Sequence, residues 1–183
     1  NMIRTVRLLE RAGANALQIE DQEFPKRCGH FAGKSVIPQA EMCEKVKAAV
    51  DSRSTEDLLI IARTDAYAVE GLEAALDRAA AYIEAGADIT FVEAPTSEAQ
   101  LREIVKRLAA PQVINLVIGG KTPLLSQAAL RDIGFSVVLY ANAALQASIV
   151  AIRDVLSGIR TEGGVETLLH RLATFEDRQN VVR

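Results

Sequence analysis

The chain has 183 residues, of which 49% are apolar and 25% are charged, a composition that excludes an intrinsically disordered, collagen-like or disulfide-stapled protein. Its formal net charge of -3 offers no basic surface for a nucleic acid, so no nucleic-acid partner is expected. No apolar run approaches the roughly 20 residues of a membrane span, no signal peptide is recognisable, and two cysteines do not indicate an oxidising compartment. The sequence therefore predicts a cytoplasmic protein without a membrane partner.

The chain starts directly in a helical pattern, residues 2–10, with no leader and no N-cap before it. From there, short apolar runs alternate with longer helical patterns, which predicts βα units and a parallel sheet. The predicted strands are residues 16–20, 58–64, 89–93, 112–117 and 136–140. The predicted helices are residues 39–51, 71–85, 98–108, 126–133, 145–156 and 165–175, with Gly86 and Gly134 ending two of them.

Polar residues follow each predicted strand. Residues 12–20 and 85–93 share one pattern, in which Ala-Gly-Ala and a polar residue precede a strand that ends in Glu20 or Glu93; a repeat and a convergence of two αβ joints both explain it. The other polar strand ends are residues 63–65, Asn115 with residues 119–121, and residues 140–142. Parallel α/β folds bind ligands at the carboxyl ends of their strands, so this ring predicts a site at one face of a barrel. A dinucleotide-binding sheet is disfavoured, since no Gly-x-Gly-x-x-Gly follows a strand.

The densest group of reactive side chains lies just after the first predicted strand. Cys28 is flanked by Lys26, Arg27 and His30, cations that favour a thiolate, and Gly29 permits close backbone approach to a ligand. Cys28 is therefore a candidate proton donor or nucleophile, and an inert loop thiol is the alternative. Cys43 falls at an apolar position of a helical pattern, which predicts a core residue.

These motifs resemble the isocitrate lyase and phosphoenolpyruvate mutase superfamily over essentially the whole chain. Glu-Asp-Gln at residues 20–22 and Pro-Lys-Arg-Cys-Gly-His at residues 25–30 match its lyase signature, and residues 62–66, 91–95 and 119–123 match further blocks in order and spacing. The sequence is most similar to the branch that contains 2-methylisocitrate lyase and 2,3-dimethylmalate lyase. Members of this branch are often labelled carboxyvinyl-carboxyphosphonate phosphorylmutases.

The resemblance implies a Mg²⁺-dependent lyase, with Mn²⁺ as a possible substitute, that splits a 2-hydroxy di- or tricarboxylate into a 2-oxo acid and a second carboxylate. Cleavage leaves an enediolate-like carbanion, which needs a cation at its oxygen and an acid at its carbon. The resemblance implies that Cys28 is this acid and that Glu20 holds Mg²⁺ through a water. The substrate-binding residues that it implies are Gly29, His30, Arg63, Glu93 and Asn115.

The implied fold is an α/β, (β/α)₈ TIM barrel. Residues 1–183 would form a single partial barrel domain, N-terminally truncated to about five βα units, namely barrel strands four to eight. Residues 145–183 would be C-terminal helices, exchanged between the subunits of a homotetramer. The direct aspartate ligand of Mg²⁺ is expected on a strand that this sequence does not contain.

Several alternatives stay open. Glu93 can instead cap a helix, Arg63 can form a structural ion pair with Asp65, and Asn115 can satisfy a loop backbone. The lyase branch usually has a glutamate where this chain has Ile118, which puts substrate choice or activity in question. Oxaloacetate hydrolysis, P–C bond chemistry on the same site and a noncatalytic partial barrel are therefore alternative functions.

Overall fold

The computed structural model describes residues 1–29 and 33–182, which form two compact units, Asn1–Tyr140 and Ala141–Arg183. The first unit contains five strands: β1 (Ala16–Glu20), β2 (Leu59–Thr64), β3 (Ile89–Val92), β4 (Val113–Asn115) and β5 (Val137–Leu139). Its helices are α1 (Met2–Arg11), α2 (Gln39–Ser52), α3 (Tyr67–Glu70), α4 (Leu72–Glu84), α5 (Glu98–Arg107) and α6 (Gln127–Ile133). Strands and helices alternate along the chain, as the sequence predicts for an α/β fold.

All strand pairs are parallel, and neighbours in space are neighbours in the chain. β1, β2 and β3 form one sheet, and β4 and β5 form another. A single parallel bridge between Thr90 and Gln112 links β3 to the chain just before β4. Within the described residues these strands do not close into a barrel. Because they all run the same way, their carboxyl ends lie at one edge.

Burial increases across the three-stranded sheet: β1 has no buried residue, alternate residues of β2 are buried, and all of β3 is buried. β3 therefore has apolar or small residues on both faces, as expected for an interior parallel strand. Helices cover one face, where Met42 and Val46 of α2 and Tyr82 of α4 pack with Ala62 of β2. The opposite face holds a second apolar layer made of Ile89, Phe91 and Val113, with Ile61 and Val137 against it. Side chains alternate along a strand, so the face that carries Ile61 also carries Arg63 one step further on.

The second unit is helical. It consists of α7 (Ala143–Glu162), a 3₁₀ helix (Glu166–Arg171) and α8 (Phe175–Val181). Gly163, which has a left-handed backbone conformation, ends α7. The prediction of one helix over residues 165–175 is wrong, because Thr174 accepts a hydrogen bond from the Asp177 backbone and starts a new helix there. None of the helices that the structure describes is long and apolar enough to cross a bilayer.

Candidate active site

The carboxyl ends of β1, β2, β3 and β4 carry five polar side chains, which we call the strand-end cluster: Glu20, Arg63, Asp65, Glu93 and Asn115. The register explains why the first members meet. Glu20 lies opposite Arg63 in the parallel ladder, and the backbone N–H of Glu93 donates to the Thr64 carbonyl at 3.0 Å. The structure therefore assembles residues that are up to 95 positions apart in the sequence.

Arg63 is the centre of this cluster. Its Nε and Nη2 donate to the two carboxylate oxygens of Asp65 at 2.9 and 3.1 Å, so the ion pair considered above is present. Its Nε also lies 3.4 Å from Glu20 and its Nη1 3.5 Å from Glu93, while its guanidinium stacks over the Phe91 ring at 5.1 Å. Burial lowers the pKa of Arg63, but the bond to Asp65 and the nearby carboxylates outweigh it and raise the pKa. The guanidinium is therefore a permanent charge that holds three carboxylates together.

Glu93 is only 1% exposed and does not cap the following helix, because Ser97 is the N-cap of α5. Burial raises the pKa of Glu93 above its ordinary value, against the lowering by the Arg63 charge and by a hydrogen bond from Asn115. Asn115 thus contacts Glu93, and its buried Oδ1 has no hydrogen-bond partner among the described residues. The hydrogen bond to Glu93 thus gives the Asn115 amide a role in the cluster, without the alternative that Asn115 satisfies a loop backbone.

The backbone around Cys28 lies against the strand-end cluster. The chain before Cys28 pairs with the chain after it: the Glu23 N–H donates to the Ser35 carbonyl at 3.0 Å, and the Ile37 N–H donates to the Asp21 carbonyl at 2.8 Å. Cys28 is exposed, and a Cβ added to Gly29 would lie 2.3 Å from Oε1 of Glu93. The backbone next to Cys28 is therefore in direct contact with the cluster. His30, a predicted substrate-binding residue, lies outside the described residues.

Two lysines connect this segment to the cluster. Lys26 pairs with Glu20 at 3.1 Å and is half exposed, whereas Lys34 is buried and pairs with Asp65 at 2.8 Å. Lys34 also donates to the Gly29 carbonyl. Sequence analysis did not single out Lys34, because a lone lysine in a loop carries no periodic signal for burial.

A second network behind the sheet was also missed. Asp21 is fully buried and accepts hydrogen bonds from Thr64 Oγ1 at 2.7 Å, the Asp65 N–H at 2.9 Å and Tyr82 Oη at 2.8 Å. Arg78 Nη1 lies 3.6 Å away. Burial raises the pKa of Asp21, and these hydrogen bonds only partly oppose the rise. The alternation of side chains along a strand could have predicted this burial. Asp21 directly follows Glu20, so its side chain lies on the opposite face of the sheet, towards the helices.

The described residues do not by themselves form a magnesium cage. Among residues 1–29 and 33–182, no three His, Cys, Asp or Glu side chains are arranged to hold a metal ion. Glu20 offers a hard oxygen donor, and its carboxylate already contacts Lys26 and Arg63. Cys43 is a packing residue, as predicted, since it lies against the core and its Sγ is 3.7 Å from the Ala81 carbonyl. Burial raises the pKa of the Cys43 thiol.

Comparison with known proteins gives close matches over nearly the whole chain. The sequence model of the phosphoenolpyruvate phosphomutase family matches residues 1–160. The chain is 38% identical over 177 residues to 2,3-dimethylmalate lyase of Eubacterium barkeri, covering 97% of this chain and 61% of that protein. It is 47% identical over 174 residues to 2-methylisocitrate lyase of Aeropyrum pernix, covering 95% of this chain and 56% of that protein.

Among solved structures, phosphonopyruvate hydrolase in complex with oxalate and Mg²⁺ is 30% identical with a TM-score of 0.81, and the match covers 96% of this chain and 61% of that one. The chain thus spans about three fifths of the length of the proteins that it matches.

Proposed function

Because the chain belongs to the phosphoenolpyruvate phosphomutase family, we propose that the whole protein is a carbon–carbon bond lyase. Its substrate would be a 2-hydroxy di- or tricarboxylate of the 2-methylisocitrate or 2-alkylmalate type, cleaved into a 2-oxo acid and a second carboxylate. The names of its lyase relatives support this choice. The observation that carries it is the contact of the Gly29 backbone with Glu93, since this contact brings the Cys28 segment to the strand-end cluster.

The reaction needs one proton removed and one proton added. The substrate 2-hydroxyl loses its proton to a base, the adjacent carbon–carbon bond breaks, and its electron pair stays on the departing carbon as an enediolate. The Cys28 thiol then protonates that carbon, and the thiolate recovers a proton from solvent. Nothing is oxidised or reduced. An exposed thiol next to a backbone that contacts Glu93 suits this role.

The charge of the site supports a requirement for a divalent cation. Three carboxylates, Glu20, Asp65 and Glu93, are offset by the cations Arg63, Lys34 and Lys26. The site thus has no surplus positive charge for a substrate with two or three carboxylates. Mg²⁺, or Mn²⁺ in its place, would stabilise the developing oxyanion, and Glu20 would contact it through a water.

Substrate carboxylates would be bound by the remaining polar groups. Arg63 Nη1 is not used by Asp65, so it can donate to a substrate carboxylate while Nε and Nη2 stay bonded to Asp65, with Asn115 and Gly29 completing the wall. We include His30 among the substrate-binding residues on the basis of the sequence alone. Ile118 is 49% exposed and follows β4, so it is placed to affect which alkyl group is accepted.

For the whole protein we propose a (β/α)₈ barrel in which the five described strands are strands four to eight. The sequential order of the parallel strands supports it, as does the coverage of about three fifths of the relatives. We also propose a cytoplasmic homotetramer in which the helices of residues 145–183 pass between subunits. Support comes from the exposed apolar side chains of α7, namely Leu145, Ile149, Ile152 and Leu156.

The test is an assay of the whole protein with Mg²⁺ and a panel of 2-methylisocitrate and 2-alkylmalates, with formation of the 2-oxo acid as readout. We expect Cys28→Ser to lower kcat by at least about 100-fold, the usual contribution of a general acid. Cys43→Ser is the matched control and should stay near the parent rate, and chelation of the metal should abolish turnover. Normal turnover by Cys28→Ser would contradict the acid role, and no turnover of any substrate would favour a noncatalytic barrel.

A second candidate is cleavage of a P–C bond, which the similarity to phosphonopyruvate hydrolase favours. Incubation with phosphonopyruvate followed by phosphorus NMR separates the two reactions. Appearance of inorganic phosphate would replace the lyase by a phosphonate hydrolase, and an unchanged phosphonate signal with active lyase would exclude it. Oxaloacetate belongs in the same panel, because its hydrolysis releases a different pair of carboxylates.

A further inference from the structure

Lys34 is a buried cation to which the proposed chemistry gives no role beyond its charge. Its side chain is 1% exposed, and it pairs at 2.8 Å with the carboxylate of Asp65, which is fully buried. A buried ion pair adds little stability compared with apolar residues of similar volume, because loss of hydration offsets the attraction. The free energy of folding alone therefore does not explain a lysine at this position.

The second contact of Lys34 points to another role. Its ammonium, which has three donors and no acceptor, also donates to the carbonyl of Gly29. The same glycine leaves no room for a Cβ against the Glu93 carboxylate. Lys34 thus forms a hydrogen bond with the backbone next to Cys28, at the residue where that backbone contacts the strand-end cluster.

The other partner of Lys34 orients the central arginine. Asp65 accepts both hydrogen bonds of the Arg63 fork, at 2.9 and 3.1 Å. Its backbone N–H is held in turn by buried Asp21. One ammonium therefore joins the Cys28–Gly29 backbone to a carboxylate that is fixed from two sides.

We propose that Lys34 is a positioning residue, whose ammonium ties the Gly29 carbonyl to Asp65 and thereby sets where the Cys28 thiol lies relative to the strand-end cluster. The inference rests on the proposed function in one respect, that Cys28 is the acid. Without the ammonium, the Gly29 carbonyl loses a fixed donor, and the Cys28 backbone gains freedom while Asp65 keeps Arg63.

The first experiment is a double-mutant cycle in the whole protein. We expect Lys34→Met to lower kcat by about 10-fold or more, since a misplacement of about 1 Å can cost 100-fold, with KM changing far less. In a Cys28→Ser background the same change should lower kcat by less than about 3-fold, because the group it positions is gone. If the two losses instead multiply, Lys34 does not act through Cys28 and the inference fails.

The second experiment does not depend on any substrate. A nitroxide attached to Cys28 in a Cys43→Ser background reports motion of the segment by EPR spectroscopy. Lys34→Met should sharpen the spectrum, whereas Lys47→Met, which removes an exposed lysine paired with Glu44, should leave it unchanged. If Lys34→Met does not fold by circular dichroism, Lys34→Gln replaces it in both experiments. An unchanged spectrum overturns the inference even where turnover is found, and a sharpened spectrum supports it even where the lyase proposal fails.

Discussion

At Gly29 the site requires a residue without a Cβ. A Cβ at this position would lie 2.3 to 2.5 Å from three atoms of the buried Glu93 side chain, which Arg63 and Asn115 hold in place. We expect Gly29→Ala to displace the Cys28 backbone and to lower kcat by about 100-fold. Steady-state kinetics measures the loss, and circular dichroism checks that the variant folds.

Gly164→Ala is a matched control for this variant. Its Cβ would also meet a glutamate carboxylate, that of Glu166, but this side chain is exposed and can move away. We expect the Gly164→Ala protein to keep the parent rate. Equal activity of both variants would show that the contact between Gly29 and Glu93 does not matter for turnover.

Asp65 makes the stability of the protein depend on pH. Burial raises the pKa of Asp65, but the hydrogen bonds and charges of Arg63 and Lys34 outweigh it, so the pKa lies below its ordinary value. A lowered pKa stabilises the folded state above the unfolded value of about 3.9, and this contribution is lost as the pH falls through the folded pKa. Asp65→Asn removes it, at a cost of about 3 kcal/mol at neutral pH.

The measurement is urea unfolding of the parent and Asp65→Asn proteins between about pH 3 and 8. The difference in unfolding free energy should be constant above about pH 5 and shrink below about pH 4. Asp132→Asn, which removes an exposed carboxylate of α6, serves as the control. A difference that does not change with pH would contradict the account of Asp65.

The sequence identified part of the site because strand ends can be recognised from apolar runs. Glu20, Arg63, Glu93 and Asn115 were found in this way. The register brings the first three together, and Asn115 joins them through its hydrogen bond to Glu93. Lys34 was not, since its burial depends on the loop folding back over Asp65, a contact between residues 31 positions apart. Tertiary contacts of this kind leave no periodic trace in a sequence.

At the scale of elements, a buried network joins α4 to the ends of β1 and β2. Tyr82 of α4 donates to Asp21, which also holds Thr64 and the Asp65 backbone. We expect Tyr82→Phe to lower the unfolding free energy by about 2 kcal/mol, the usual contribution of a hydrogen bond to a charged group. Urea unfolding measures this loss.

Tyr67→Phe is the control for Tyr82→Phe. Its hydroxyl bonds with Thr96 and Gln100, which are neutral, at 2.8 and 3.1 Å. Its removal should cost less, about 0.5 to 1 kcal/mol. If Tyr82→Phe proves no more destabilising than Tyr67→Phe, the charged network does not stabilise the joint between helix and sheet.

Strands and helices were predictable to different degrees. β1 was predicted to the residue, whereas residues 112–117 shortened to Val113–Asn115, because only three residues find a partner in β5. The helix predicted over residues 165–175 failed since apolar spacing alone does not show where a helix starts. The start of α8 is instead marked by a capping box, which Thr174 forms with Asp177 three residues later.

At the scale of the whole molecule, α7 presents apolar side chains that the described residues leave exposed. Ile149 is 53%, Ile152 58% and Leu156 61% exposed, and with Arg153 and Arg160 they lie on one open face of the helix. Patches of this kind mark protein interfaces, and soluble homo-oligomers bury them symmetrically. The proposed tetramer therefore predicts that this face of α7 is covered by another subunit.

The double variant Ile152→Glu and Leu156→Glu tests this prediction. Two glutamates in an apolar contact would be desolvated without partners, at a cost of several kcal/mol, which is enough to separate subunits. Light scattering after size exclusion should show the mass of one chain for the variant and of four for the parent. Val69→Glu places a charge on α3 instead, at a residue 44% exposed, and should keep the parent mass. A parent protein that is itself monomeric at assay concentration would refute the tetramer.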